Sequence, residues 1–97
     1  MNLTESTIAN VVYKKASGEV TARTIIPTSV PASVVRAIDV SEMAPADRLE
    51  LAQKHAEYRT YVDTFTRQLF SFADWMEHTY GVTPELKWRS FTASELS

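Results

Sequence analysis

The sequence predicts an α+β fold: a small, strongly bent antiparallel sheet or barrel with a helical hairpin inserted before the last strand. Two β-rich runs flank a short turn that contains Gly18, which is the pattern of a hairpin. Helical spacing without Gly or Pro then extends from Ala46 to Leu69. A last β-rich run, residues 87–92, follows the helices. Because a lone strand is not stable in water, we expect it to join the sheet begun in the first half of the chain.

The first half of the chain is typical of three strands. Residues 8–15 and 19–26 are rich in β-branched and aromatic side chains and form the predicted hairpin. Pro27 is expected to end the second strand, because proline donates no ladder hydrogen bond. A third strand is predicted over residues 33–40. The predicted element order is therefore β-β-β-α-α-β.

The long helix is predicted from its apolar spacing. Large side chains recur at steps of three and four residues from position 51 onward, which places them on one helical face. The members of this face are Leu51, His55, Tyr58, Val62, Phe65 and Leu69. Without an internal breaker, we expect a helix of about 25 residues. Its apolar face is expected to cover the sheet.

A short second helix is predicted from residue 72 to about residue 80. Ser71 and Asp74 resemble an N-cap and an acidic N3 residue, and Gly81 is a natural terminator. Phe72, Trp75 and Met76 fall on one side of this helix. Two interpretations remain open: they pack the helices onto the sheet, or they form an exposed partner-binding patch.

The length, net charge and apolar content of the chain limit the classes of protein to which it can belong. A chain of 97 residues is enough for a single domain, which we divide into a β portion (8–40 and 85–97) and a helical insertion (41–81). A net charge of −2 argues against strong, sequence-independent binding of nucleic acid. No apolar run is long enough to span a membrane, and the first residues do not resemble a secretory signal. A cytoplasmic location is expected.

Catalytic signatures are not found in the sequence. There is no cysteine and only two glycines, so thiolate chemistry and a glycine-rich phosphate loop are excluded. No serine or threonine lies in a nucleophile-elbow pattern, and no His/Asp/Glu group has metal-ligand spacing. His55 lies on the apolar face of the long helix, as a packing residue does. Asp39 is the one acid embedded in a predicted strand. Two interpretations of it remain open: a catalytic base, or an edge or turn-side residue that ends the pairing of its strand. We predict that the protein is not an enzyme and needs no cofactor or metal.

Binding is the better-supported class. Aromatic and arginine side chains are interleaved in the predicted strands: Tyr13, Arg23, Arg36, Trp88, Arg89 and Phe91. Arginine offers a planar fork of donors for phosphate, and an aromatic ring offers a stacking surface for a base. The alternative is structural, with arginines on a solvated face and Trp88 or Phe91 in the core.

Three segments resemble one known family. VVYKKASGEVTARTIIP, VVRAIDV and WRSFTASEL resemble strands of WYL-like domains, in particular the short stand-alone versions common in bacteriophages and mobile elements. The last segment resembles their closing strand, with arginine before phenylalanine and a short 3₁₀ or helical tail. The resemblance covers about 50 residues of the β portion. The family's name-giving tripeptide is not present, and the helical segment replaces a short hairpin.

The resemblance implies an SH3-like or Sm-like barrel and a regulatory binding role. Carried over by position, it implies ligand contacts from Tyr13, Arg23, Trp88 and Arg89. The first hypothesis is therefore a non-enzymatic regulatory module that binds a phosphate-bearing ligand, either a nucleotide or a nucleic-acid strand. The alternative is an accessory protein that docks on or inhibits a host protein through its inserted helices, around Phe72, Trp75 and Met76. Self-association through the long helix is a further alternative.

Overall fold

The predicted order of elements is confirmed. The computed structural model describes residues 3–31, 33–65 and 69–96. Its elements are β1 (Ala9–Lys14), β2 (Val20–Ser29), β3 (Val34–Asp39), α1 (Pro45–Thr64), α2 (Phe72–Tyr80), β4 (Trp88–Thr92) and a 3₁₀ turn (Ala93–Glu95). Within the described ranges, no helix is long and apolar enough to cross a membrane.

The four strands form one antiparallel sheet in the order β1-β2-β3-β4. β4 pairs with β3, where Phe91 lies opposite Val35. The late strand therefore does join the sheet of the first half, and the helices are inserted between two neighbouring strands. The sheet is open, not a closed barrel. After the 3₁₀ turn, Leu96 forms an isolated antiparallel bridge to Tyr13 of β1.

The prediction that Pro27 ends the second strand is wrong. β2 continues through Pro27 to Ser29, and Pro27 is fully buried opposite Ala37. A register shift lies between Pro27 and Ser29. Proline is tolerated at such a bulge because the local ladder is interrupted there and a missing donor costs little. The Pro27 carbonyl accepts a hydrogen bond from the Ser6 backbone N–H at 2.8 Å.

The long helix is shorter than predicted. α1 ends at Thr64, and Phe65 has extended backbone angles. Residues 66–68 lie outside the described residues, and Leu69 is not helical. The hairpin needs a connection before α2, and the Tyr58 hydroxyl holds that connection by donating to the Phe70 carbonyl at 2.8 Å.

The two faces of the sheet belong to different apolar clusters. The helix-side cluster joins sheet and helices through Ile26, Ile38, Val40, Leu51, Ala52, Tyr58, Phe72, Trp75 and Met76. The second cluster lies on the opposite face and consists of Val11, Ile25, Val35, Ala37, Phe91 and Leu96. Both faces are thus partly covered, one by the helices and the other by the ends of the chain.

The predicted ends of the short helix are confirmed. The Ser71 hydroxyl accepts from the Asp74 backbone N–H at 3.3 Å. Gly81 has a φ of 71° and its N–H donates to the Glu77 carbonyl at 2.9 Å. A left-handed residue after the last turn satisfies a carbonyl that would otherwise lack a partner.

Candidate ligand-binding site

Two arginines and one aspartate meet at one end of the sheet. In the strand register, Arg23 lies opposite Val11, Asp39 opposite Ile25 and Arg89 opposite Ala37. Since directly opposed residues share a face, the three side chains lie on the face of the second cluster. Arg89 Nε lies 2.8 Å from Asp39 Oδ2 in an ion pair, and an Arg23 terminal nitrogen donates to the same oxygen at 3.5 Å. We call Arg23, Asp39 and Arg89 the shared-carboxylate cluster.

Asp39 is the centre of this cluster. It is 8% exposed, which makes it the most buried carboxylate among the described residues. Burial on its own raises the pKa of its carboxyl, but hydrogen bonds from the Ser41 hydroxyl and backbone N–H oppose that effect. Together with the charges of Arg23 and Arg89, they hold the pKa below its usual range. Asp39 is therefore ionised at neutral pH.

One carboxylate does not occupy all the donors of two guanidinium groups. Arg89 uses Nε, so its two terminal nitrogens have no hydrogen-bond acceptor in the parts of the chain that are described, and its side chain is 44% exposed. Arg23 Nε is buried and has no partner among the same residues. Two positive charges share one negative charge, so the cluster has an excess of one positive charge and unused donors.

The cluster opens onto a cavity of about 440 Å³, within the range typical of small-ligand sites. The cavity lies between the end of β3, the first half of α1 and the segment before β4. Its apolar wall is aliphatic and comprises Ile38, Met43, Leu51, Met76 and Leu86. No aromatic side chain lines it, so it contains no stacking surface for a base.

The mouth of the cavity carries charges of both signs. Lys87 pairs with Glu42 at 2.9 Å, and Lys54 pairs with Glu50 at 3.2 Å. These pairs are largely neutralised, so they change the net charge of the cavity little. Asp47 and Glu85 also line it. Over the described lining, five acids and four bases give a net charge of −1, so the positive excess is confined to the shared-carboxylate cluster.

Tyr13 lies outside this cavity. Its ring packs edge-on against Phe91, with ring centres 5.1 Å apart. Its hydroxyl donates to Glu95 at 3.2 Å. The register places Thr21 opposite Tyr13, so Arg23 is its diagonal neighbour rather than its direct partner. The structure therefore gives Tyr13 a packing role beside the 3₁₀ turn.

Trp88 also lies away from Arg89. It is opposite Ile38, so its ring is on the helix side of the sheet, while Arg89 is on the other face. Its nearest cation is Arg36, whose guanidinium carbon lies 6.0 Å from the ring centre. Of the four predicted ligand residues, Arg23 and Arg89 are brought together, and Tyr13 and Trp88 are each separate.

The residues of the alternative, Phe72, Trp75 and Met76, are buried, at 4%, 8% and 3% exposure. All three belong to the helix-side cluster. They pack the helices onto the sheet and do not form an exposed patch.

Sequence reasoning missed the residues that support the site. Ser41 orients Asp39, and Arg48 donates to the carbonyls of Ser41 and Met43 at 2.7 and 2.8 Å, which holds the loop between β3 and α1. One signal was available: Asp39 lies two residues after Ala37 on the alternating buried face of β3. An acid in that position requires a cationic partner. No sequence pattern identifies Arg48, because its two shortest hydrogen bonds go to backbone carbonyls.

The described residues hold no group of three or more His, Asp or Glu side chains placed to bind a metal ion. Comparison of the chain with protein-family models, with curated proteins and with solved structures finds no match.

Proposed function

We propose that this protein is a non-enzymatic regulatory module that binds a phosphate-bearing small ligand at the shared-carboxylate cluster. The observation that carries the proposal is the sharing of Asp39 by Arg23 and Arg89, which leaves positive charge and free donors facing a cavity. Arginine forks match phosphate oxygens in geometry and charge.

The cluster is prepared for an anion before one arrives. Asp39 pairs with Arg89 through Nε, so the two terminal nitrogens of Arg89 are not part of that contact. A guanidinium that is already oriented loses less conformational freedom on binding than a free side chain does. The aliphatic walls favour a ligand whose remainder is apolar or sugar-like, recognised mainly through its phosphate.

The assignment of the fold to a specific type of small barrel is part of the same proposal. The bridge between Leu96 and Tyr13 after a 3₁₀ turn brings the chain end beside β1, as in small barrels of the SH3 and Sm type. We propose an opened version of such a barrel, in keeping with the resemblance to WYL-like domains. Its helical insertion then forms one wall of the ligand cavity.

Thermal unfolding with ribose 5-phosphate tests the ligand class. Ribose 5-phosphate at a concentration about 100-fold above its Kd is expected to stabilise the fold by about 2.7 kcal/mol, seen as a rise in Tm. Arg89→Gln should remove that rise. Arg89→Lys should retain only part of it, because an ammonium cannot donate through Nε to Asp39 and present a fork at the same time.

Lys14→Gln is the matched control, since Lys14 in β1 does not line the cavity and the variant should leave the effect of ribose 5-phosphate unchanged. An unaltered rise in Arg89→Gln would contradict the site. The absence of any rise in the unmodified protein with ribose 5-phosphate or inorganic phosphate would contradict the ligand class.

A second candidate function, docking on a host or partner protein through the helices, is favoured by two exposed side chains. Phe65 and Leu69 are 48% and 61% exposed where the hairpin connects. Under this proposal, the double variant Phe65→Ser, Leu69→Ser loses a partner captured from bacterial lysate, while Leu49→Ser, also an exposed apolar residue, retains it. Capture that survives the double variant contradicts the proposal.

A further inference from the structure

A second cavity of about 330 Å³ lies between the sheet and the helices, farther along α1 than the first cavity and sharing no lining residue with it. It is formed by the bulged end of β2, the middle of β3 and the first residue of β4 on one side. The middle of α1 and the start of α2 form the other side. The side chains that matter for its chemistry are Arg36, His55, Arg59, Ser71 and Trp88.

The cavity is basic. None of the residues that line it is acidic, whereas it contains two arginines. Arg59 is balanced by Glu5 at 2.9 Å, outside the cavity lining, and lies 3.8 Å from Asp63. Arg36 forms no ion pair with any residue that the structure describes. Its charge is therefore uncompensated within the cavity.

Arg36 and Trp88 form a composite surface. The register places Arg36 opposite Ser90 and Trp88 opposite Ile38, so the two side chains are diagonal neighbours on one face. The guanidinium lies 6.0 Å from the ring centre, within the range of a cation–π contact. Trp88 is 44% exposed, an unusual degree for so large an apolar ring beside a cavity.

Apart from the two arginines and Trp88, the lining mixes polar side chains with Tyr58, Val62 and Phe72. Burial, with a smaller contribution from Arg59, lowers the pKa of His55 to about 4, so its ring is neutral at pH 7. Its Nδ1 lies 2.7 Å from the Ser6 hydroxyl. Thr28, Ser29 and Ser71 add hydroxyl groups, of which the Thr28 hydroxyl donates to the Arg36 carbonyl at 3.2 Å and the Ser71 hydroxyl accepts from the Asp74 N–H at 3.3 Å. Hydroxyl groups suit the oxygens of a sugar or a phosphate.

We propose that this second cavity binds a nucleoside phosphate, with its base stacked on Trp88 and its phosphate at Arg36. An aromatic ring beside an unpaired cation suits a nucleotide, because the ring stacks on the base and the cation binds the phosphate. Among the described residues, no aromatic side chain lines the first cavity, so that cavity offers no stacking surface for a base. The second cavity differs because its ligand must carry a base. A free mononucleotide and one unit of a single strand share this chemistry.

Tryptophan fluorescence tests the proposal. The chain has two tryptophans, so the signal of Trp88 is obtained by difference from the Trp88→Phe variant. Millimolar AMP is expected to quench that signal by stacking, whereas ribose 5-phosphate, which has no base, should not. Arg36→Gln should weaken AMP binding about tenfold or more, a change of at least about 1.4 kcal/mol.

The Trp88 signal reports on this cavity, whereas the rise in Tm with ribose 5-phosphate reports on the first, so failure of the first site and failure of this one are distinguishable. Lys14→Gln controls for a general loss of positive charge. A short oligothymidylate identifies the source: binding much tighter than that of AMP assigns the site to a strand, and equal binding assigns it to a free nucleotide. The proposal is overturned if neither probe quenches Trp88, or if Arg36→Gln binds as the unmodified protein does.

Discussion

At the scale of single residues, the most consequential side chain is Asp39. It is buried, ionised and bonded to groups on three parts of the chain, so it contributes to stability and to site geometry together. Its removal leaves two guanidinium groups near each other without a counter-charge. An unpaired charge near a low-dielectric interior costs more than the pair itself contributed.

Asp39→Asn is therefore expected to lower the free energy of unfolding by about 2 kcal/mol, the range of a charged hydrogen bond, reduced here because Arg89 is half exposed. Urea unfolding at pH 7 measures this. Glu42→Gln, which removes an exposed acid from the same cavity mouth, should change little. Equal stability of Asp39→Asn and the unmodified protein would contradict the role given to Asp39.

The same residue predicts acid sensitivity. The pKa of Asp39 is lowered in the fold, so the stability it contributes is present above its unfolded pKa near 3.8 and is lost as pH falls through the lower folded value. Its contribution therefore disappears only below about pH 4. When urea unfolding midpoints are measured as a function of pH, Asp39→Asn should show a smaller decline in that range than the unmodified protein.

His55 predicts a separate pH window. Its folded pKa is about 4, against 6.5 when unfolded, so the unfolded chain binds a proton that the folded chain does not. Stability should therefore fall as pH drops from 6.5 to 4, by about 3 kcal/mol at most. His55→Gln should show a flatter profile in this window. Parallel profiles for His55→Gln and the unmodified protein would contradict the buried neutral ring.

At the scale of elements, local signals predicted the ends of α2 well. A hydroxyl at position 71 and a glycine at position 81 act through hydrogen bonds within a few residues, so neighbouring sequence is enough to identify them. The end of α1 was not predicted, because the apolar spacing continues to Leu69, whereas Phe65 already has extended backbone angles. The strand through Pro27 was missed because a bulge is visible only once β2 and β3 are paired.

Gly81→Ala is expected to cost about 1–2 kcal/mol, since a left-handed φ of 71° opposes any Cβ. No atom lies within 4 Å of an added Cβ, so steric contact adds nothing to this backbone cost. Gly81→Asn should cost less, because asparagine adopts this conformation more readily. Thermal unfolding of the two variants measures the difference, and equal losses would contradict the cap.

We predict that β4 is held to the sheet by Phe91, the one buried aromatic ring of this strand. Phe91 is 2% exposed within the second cluster, so Phe91→Ala should lower the free energy of unfolding by about 3–5 kcal/mol. Trp88→Ala, at an exposed ring in the same strand, should cost far less. Chemical denaturation of both variants checks this, and similar small losses would mean that β4 is not anchored through Phe91.

At the scale of the whole molecule, the strand register explains what the sequence did and did not reveal. Composition and spacing predict the order β-β-β-α-α-β, because each element has a local pattern. They do not predict that Arg23 and Arg89 meet at Asp39, since that depends on which residues lie opposite each other across three strands. For the same reason, Trp88 was expected beside Arg89, whereas neighbouring residues of a strand point to opposite faces.

The central claim is that Arg23 and Arg89 share Asp39 and keep donors free for an anion. The most direct measurement follows the arginine Nε–H resonances by ¹H–¹⁵N NMR during a titration with ribose 5-phosphate. We predict that the Arg23 and Arg89 signals move and saturate together, and that Arg89→Gln weakens the response of Arg23. Movement of the Arg36 signal alone, or no movement of Arg23 and Arg89 at saturating phosphate, would contradict the claim.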